Sequence, residues 1–183
     1  MKAFILGLIL GVIAVPVTVY FYFSGGHAPV ATSDSDMPFE KDMAHMALDA
    51  RIHKEMPKSA PIQGDEVNLL VGAATYREHC GVCHGMPGQP KTAIALGMYP
   101  HPPKLMEGKG VTDDEPGESY WKVANGIRLT GMPGFHGQLS ETQMWQVSLL
   151  VAQADKLPKS VVDSMAVPPA AMPGSEHSPT TRK

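Results

Sequence analysis

Hydrophobic and polar positions divide the chain into four stretches. The first is a run of 20 residues without a charge, FILGLILGVIAVPVTVYFYF at positions 4–23. A helix of that length matches the ~30 Å hydrocarbon core of a bilayer, whereas a secretory h-region has about 7 to 15 apolar residues. Residues 1–23 are therefore expected to form an uncleaved transmembrane anchor. Lys2 precedes the run and no Lys or Arg follows until Lys41, which puts the N-terminus in the cytoplasm and the rest of the chain outside. Tyr20, Phe21, Tyr22 and Phe23 would form an aromatic belt at the outer interface. Ser24-Gly25-Gly26 supplies small residues after the run, so cleavage as a signal peptide is the alternative.

Residues 24–61 shift to Gly, Pro, Asp, Ser and Met, with little to build a core from. They read as a flexible linker, and about 37 residues of flexible coil have an r.m.s. span near 35 Å. Within it Phe39, Met43, Met46, Ala50 and His53 recur on one helical face, which predicts a short amphipathic helix able to dock. Met43, His45, Met46, His53 and Met56 also suit copper by ligand softness.

The third stretch, 62–157, carries the periodic segments of a folded domain. Asp65 and Glu66 open a helix reaching to about Cys80, with Val67, Leu70, Ala74 and Val71 as its apolar face. Gly72, Tyr76 and Cys80 share another stripe of the same helix, and an interior glycine there implies close approach of a second element. Prolines and glycines punctuate 85–110, leaving room for one short turn over Thr92 to Leu96. Pro116-Gly117 leads into a short helix, Glu118 to Asn125, with Asp113, Asp114, Glu115 and Glu118 crowding its N-terminal side as a dipole-compensating solvated surface, a docking patch being the alternative. Ser140 with Gln143 is a capping-box pattern that starts the last helix, which runs to about Ala154 and is stopped by Pro158. Residues 158–183 read as a disordered tail from their Pro, Ser and Ala content. The chain has 183 residues and a formal net charge of −3, so nothing favours nucleic acid as a partner.

Candidate chemistry centres on Cys80-Gly81-Val82-Cys83-His84. C-x-x-C-H is the attachment sequence of a c-type haem: the two thiols add across the porphyrin vinyls and the adjacent imidazole becomes the proximal iron ligand. The chain has no other Cys. A structural zinc site needs four ligands and only His79 and His84 stand close by; a thioredoxin-like motif needs a βαβ setting, and none is visible. The sixth iron position decides between electron carrier and ligand-binding catalyst. Met132, in Leu129-Thr130-Gly131-Met132-Pro133-Gly134, is the candidate distal ligand, because flanking Gly and Pro can hold a thioether at a fixed point. His136 is its rival; Met98 and Met86 lie closer to His84 in sequence, and Met144 is expected in the core.

Gly72, Tyr76, Cys80, Cys83, His84, Pro103-Lys104-Leu105, Met132 in its Gly-Met-Pro loop and Trp145 together resemble a class I (mitochondrial-type) cytochrome c over about residues 65–156. The stretch N-G-I-R-L-T-G-M-P-G-F is similar to monohaem c domains found as subunits of bacterial oxidases and alcohol dehydrogenases. The resemblance implies an all-α cytochrome c fold, about three to four helices around one covalent haem c, here behind an N-terminal transmembrane helix. It implies close crossing of the helices bearing Gly72/Tyr76 and Trp145. It also implies that the Pro103 carbonyl accepts a hydrogen bond from His84, with Pro102 and His101 as alternative aligned positions.

The expected function is single-electron transfer by a membrane-tethered monohaem cytochrome c, either a free carrier or the cytochrome subunit of a respiratory complex. It would not be an enzyme on its own and would bind no small-molecule substrate at the iron. Its partners would be redox proteins, its place the bacterial cytoplasmic membrane as a single-pass protein with the haem domain on the periplasmic side. Two alternatives stay open: a haem c enzyme or gas sensor with a displaceable sixth ligand, and a copper-handling protein acting through the Met/His-rich linker.

Overall fold

A computed structural model describes residues 2–107 and 114–166, with the backbone alone for residues 2, 4 and 6. The Lys2 side chain, Gly108, Gly110, Asp113 and the tail from 167 to 183 lie outside the described residues. Among the described residues the fold is all-helical, consistent with a cytochrome c fold, with one apolar helix at the N-terminus. The eight helices are α1 (Lys2–Ser24), α2 (Glu40–Glu55), α3 (Glu66–His79), α4 (Gly81–His84), α5 (Ala93–Gly97), α6 (Pro116–Asn125), α7 (Glu141–Ala152) and α8 (Lys159–Ala166). The chain divides into two compact units, one ending at Ala47 and the other beginning at Leu48.

In the first unit α1 is long and apolar enough to cross a membrane by length and composition. Between α1 and α2 the chain is built of turns, one closed by Asp34, whose carboxylate accepts from the backbone N–H of Val30 and of Ala31 at 2.9 Å each.

Local chemistry sets the helix starts in the second unit. The Asp65 carboxylate accepts from the Asn68 N–H at 2.9 Å, and Thr92 Oγ1 accepts from the Ala95 N–H at 3.1 Å. Pro116 occupies the first turn of α6, where its missing N–H costs nothing. At α7 the capping box is complete: Ser140 Oγ accepts from the Gln143 N–H (3.2 Å) while the Gln143 side chain accepts from the Ser140 N–H (3.0 Å).

The principal core lies between α3, α7 and α8, where Leu69, Ala73, Tyr76, Val147, Leu150, Val161 and Met165 are buried together. Its closest point is Gly72, since a Cβ there would collide with the backbone carbonyl of Gln146. That is the close approach the interior glycine predicts. The face of α3 that turns inward is Leu69, Gly72, Ala73 and Tyr76; the expected stripe of Val67, Leu70, Val71 and Ala74 is exposed instead. Either stripe has helical period, and the shape of α7 decides between them. A smaller cluster of Ala124, Phe135, Leu139 and Met144 forms under α6, with Met144 in the core as expected.

Two further expectations change. The linker helix α2 is longer than a short docking segment, and its buried residue is Ile52, flanked by half-buried Leu48 and Met56. Phe39, Met43, Met46, Ala50 and His53 stay exposed, Phe39 at 73% of its surface. Beyond α2 the chain is fastened to α6: the carbonyl of Pro57 sits where a Cβ on Gly117 would be, and Trp121 Nε1–H donates to Glu55 at 3.1 Å. The expectation of disorder from residue 158 fails over α8. Val161 and Met165, four apart on one face, are buried against α3, and Arg77 donates to the Ser164 carbonyl at 2.9 Å. Averaging composition over the whole tail hides an amphipathic helix of eight residues.

Candidate haem site

The C-x-x-C-H motif begins at the C-cap of α3 and turns through α4. The Cys80 N–H donates to the Tyr76 carbonyl at 2.8 Å, and the His84 N–H to the Cys80 carbonyl at 2.9 Å. Gly85 leaves this turn with φ of 82°, a left-handed conformation suited to glycine, and its carbonyl accepts from the buried Tyr76 hydroxyl at 2.9 Å. The helix that packs the core thus also fixes the motif at both ends.

Cys80, Cys83 and His84 line one cleft that is partly open to solvent. Its apolar walls come from Val123 of α6, Val147 and Val151 of α7, Met98, Pro102, Pro103 and Leu105 of the proline-rich loop, and Ile127, Met132 and Phe135 beyond α6. The long loop, in which the punctuation leaves only the short α5, supplies part of this apolar wall through Met98, Pro102, Pro103 and Leu105.

Of the residues singled out in the sequence, Cys80, Cys83, His84, Pro103 and Met132 meet at this cleft. His136 does not line it; that residue is exposed, with its backbone N–H bonded to the Ala124 carbonyl. Met86 packs on the principal core, whereas Met98 shares the cleft with Met132, its methyl lying against Gly131. Met43, His45, Met46 and His53 are exposed along α2. Among the described residues no group of three or more His, Cys, Asp or Glu side chains is placed to hold a metal ion.

Burial, then proximity to Cys83, pushes the Cys80 thiol up to about 12. His84 Nδ1 lies 2.8 Å from the Pro103 carbonyl oxygen. A carbonyl only accepts, so Nδ1 carries the proton and Nε2 is the nitrogen available to a metal. Burial lowers the His84 pKa, an effect the Pro103 hydrogen bond partly opposes, and the neutral imidazole that results is the form that ligates. Two thiols, a neutral imidazole and a thioether around one apolar cleft fit an iron porphyrin.

Met132 is held by its own loop. Its N–H donates to Thr130 Oγ1 at 3.1 Å, Thr130 Oγ1–H donates to the Ile127 carbonyl at 2.7 Å, and the Ile127 N–H returns to the Met132 carbonyl at 3.2 Å. The loop is also pressed against the end of α6, because a Cβ on Gly126 or Gly134 would strike backbone atoms of the other strand of the turn. Three cleft residues were not legible beforehand. His79 faces the cleft with its ring 5.7 Å from Phe135. Lys122 and Asp114 form an ion pair at its wall, 2.6 Å apart. Only the i, i+4 spacing of Glu118 and Lys122 hinted at that cluster.

With this geometry in place, residues 67–149 match the family model described as cytochrome C oxidase, cbb3-type, subunit III, a c-type cytochrome family. A domain of that family implies covalently bound haem c. No curated protein matches the chain. Among solved structures it is similar to a chain of the reducing HAO-like protein complex of Kuenenia stuttgartiensis, at 25% identity and a TM-score of 0.46, covering 52% of this chain and 47% of that one. The present chain therefore spans about half the length of that structure.

Proposed function

We propose that the protein is a membrane-tethered monohaem cytochrome c that passes single electrons between redox proteins. The observation that carries this reading is the convergence of Cys80, Cys83, His84 and Met132 on one apolar cleft inside the segment that matches a c-type cytochrome family. Bound there, haem supplies one-electron Fe(III)/Fe(II) exchange, at a potential raised by His/Met ligation. Cys80 and Cys83 hold the porphyrin covalently. His84 is the proximal ligand, oriented through Nδ1 by the Pro103 carbonyl. Met132 would hold the iron through its thioether, and with two protein ligands in place no substrate would bind there. Val123, Val147, Val151 and Phe135 exclude water from the cleft.

The chain is read as uncleaved and single-pass, α1 anchoring it in a bacterial cytoplasmic membrane with the haem domain on the periplasmic side. It works as a free carrier or as the cytochrome subunit of a respiratory complex, exchanging electrons through small, short-lived contacts.

The test is an absorption spectrum and intact mass of the full chain purified in detergent. One covalent haem, a near-infrared methionine-to-iron band and no carbon monoxide adduct of the reduced protein at neutral pH support the reading. A colourless protein with the mass of bare polypeptide ends it. In Met132→Ala the haem should stay covalent, the near-infrared band should vanish and carbon monoxide should bind; survival of the band would remove Met132 from its role.

A further inference from the structure

Lys122 is the one Lys or Arg among the described residues that line the cleft. It projects from α6 and only 23% of its side chain is exposed. Two carboxylates hold its ammonium, Asp114 at 2.6 Å and Glu118 at 2.8 Å. Asp114 also lines the cleft, whereas Glu118 does not. Burial works against its charge, yet the two carboxylates more than offset it and the Lys122 pKa is raised, so the group remains a cation.

An ion pair placed for stability alone has no reason to face an apolar cleft, since surface pairs contribute little and desolvation costs them more. A fixed charge at the wall of a low-dielectric cleft does act on any change of charge inside it. One-electron reduction lowers the charge of the cleft's contents by one unit. A neighbouring cation favours that change and a neighbouring anion opposes it.

We propose that Lys122 and Asp114 are the potential-setting residues of this site, the lysine raising and the aspartate lowering the reduction potential of the haem that the cleft holds. The inference rests on the reading of the cleft as a haem site. Neither residue ligates the iron; both act across space, and Glu118 serves to keep the Lys122 ammonium at the wall.

The test is a mediated potentiometric titration of the haem-loaded full chain at neutral pH and low salt, with dithionite as reductant and ferricyanide as oxidant. Lys122→Met should lower the equilibrium constant for reduction about tenfold, a fall of about 59 mV for a one-electron couple. Asp114→Asn should raise the potential, and Lys122→Arg, which keeps the charge, should stay within about 20 mV of the unaltered chain, roughly a twofold change in the same constant. Opposite signs for the two neutralising changes mark an electrostatic role, because loosened packing would move both variants the same way. Potentials that are unchanged, or that shift in one common direction, overturn the proposal. Should Lys122→Met fail to load haem, Asp114→Asn against Lys122→Arg decides alone: a rise in the first with none in the second supports the proposal, and its absence overturns it. Failure of the underlying reading shows earlier and differently, as an unaltered chain without covalent haem.

Discussion

The α3/α7/α8 core and the Met132 loop sit on either side of the same cleft and are held in different ways. The first is held by burial: Leu69, Tyr76, Leu150, Val161 and Met165 are each at most 2% exposed, and the backbones touch at Gly72. The second buries little. Leu129 is 91% exposed, and the loop keeps its shape through Thr130, Ile127 and the glycines pressed against α6. Thioether and imidazole are thus presented from supports of unequal stiffness. His84 is braced by the core through Tyr76 and Gly85, whereas Met132 depends on three hydrogen bonds of its own loop.

Substitutions can break or sharpen this contrast, and the core should show the largest effects. Leu150→Ala removes a fully buried side chain and should cost about 3 kcal/mol of unfolding free energy, measured by chemical denaturation. The near-infrared band should survive in the fraction that remains folded. Gly72→Ala places a methyl against the Gln146 carbonyl and should cost about 2 kcal/mol by forcing α3 and α7 apart. A cost below ~0.5 kcal/mol would mean that the two helices are not in contact at this point. Tyr76→Phe leaves the Gly85 carbonyl without its hydroxyl donor and should cost about 1.5 kcal/mol. Of the core variants it alone should also disturb the motif, visible as a shifted visible spectrum. Thr130→Val should change global stability by no more than about 0.5 kcal/mol. It should instead make Met132 easier to displace, read as tighter imidazole binding to the oxidised protein. Equal losses of stability from Thr130→Val and Leu150→Ala would erase the distinction.

How much of this was legible beforehand follows the same division between local and tertiary causes. Asp65, Thr92 and Ser140 mark helix starts within four residues of chain, so the starts of α3, α5 and α7 could be read directly, whereas α6 begins at Pro116, two residues before the expected Glu118. The haem motif is likewise local, five consecutive residues. Which face of a helix turns inward is not local. On α3 the stripe through Val67 and Leu70 has as good a period as the one through Leu69 and Ala73, and on α2 the more conspicuous Phe39/Met43/Met46 stripe is the exposed one. Gly72 was the better guide, because a glycine inside a helix names the point of contact without reference to period. Lys122 escaped for a related reason: sequence shows its i, i+4 partner, but only packing shows that the pair borders a cleft.

On the proposed reading of α1 as an anchor, the fastening of residues 55 and 57 onto α6 shortens the tether that is left free to flex. Any freely flexing portion of the tether is confined to the 15 positions from 25 to 39 between α1 and α2. Fully stretched, those positions span at most ~54 Å, and as a random coil about 21 Å r.m.s.. On that reading, a leash of that length would crowd a tethered electron carrier against whatever shares its patch of membrane. Local concentration falls roughly as the −3/2 power of leash length, so a shorter leash favours exchange with immediate neighbours over distant ones.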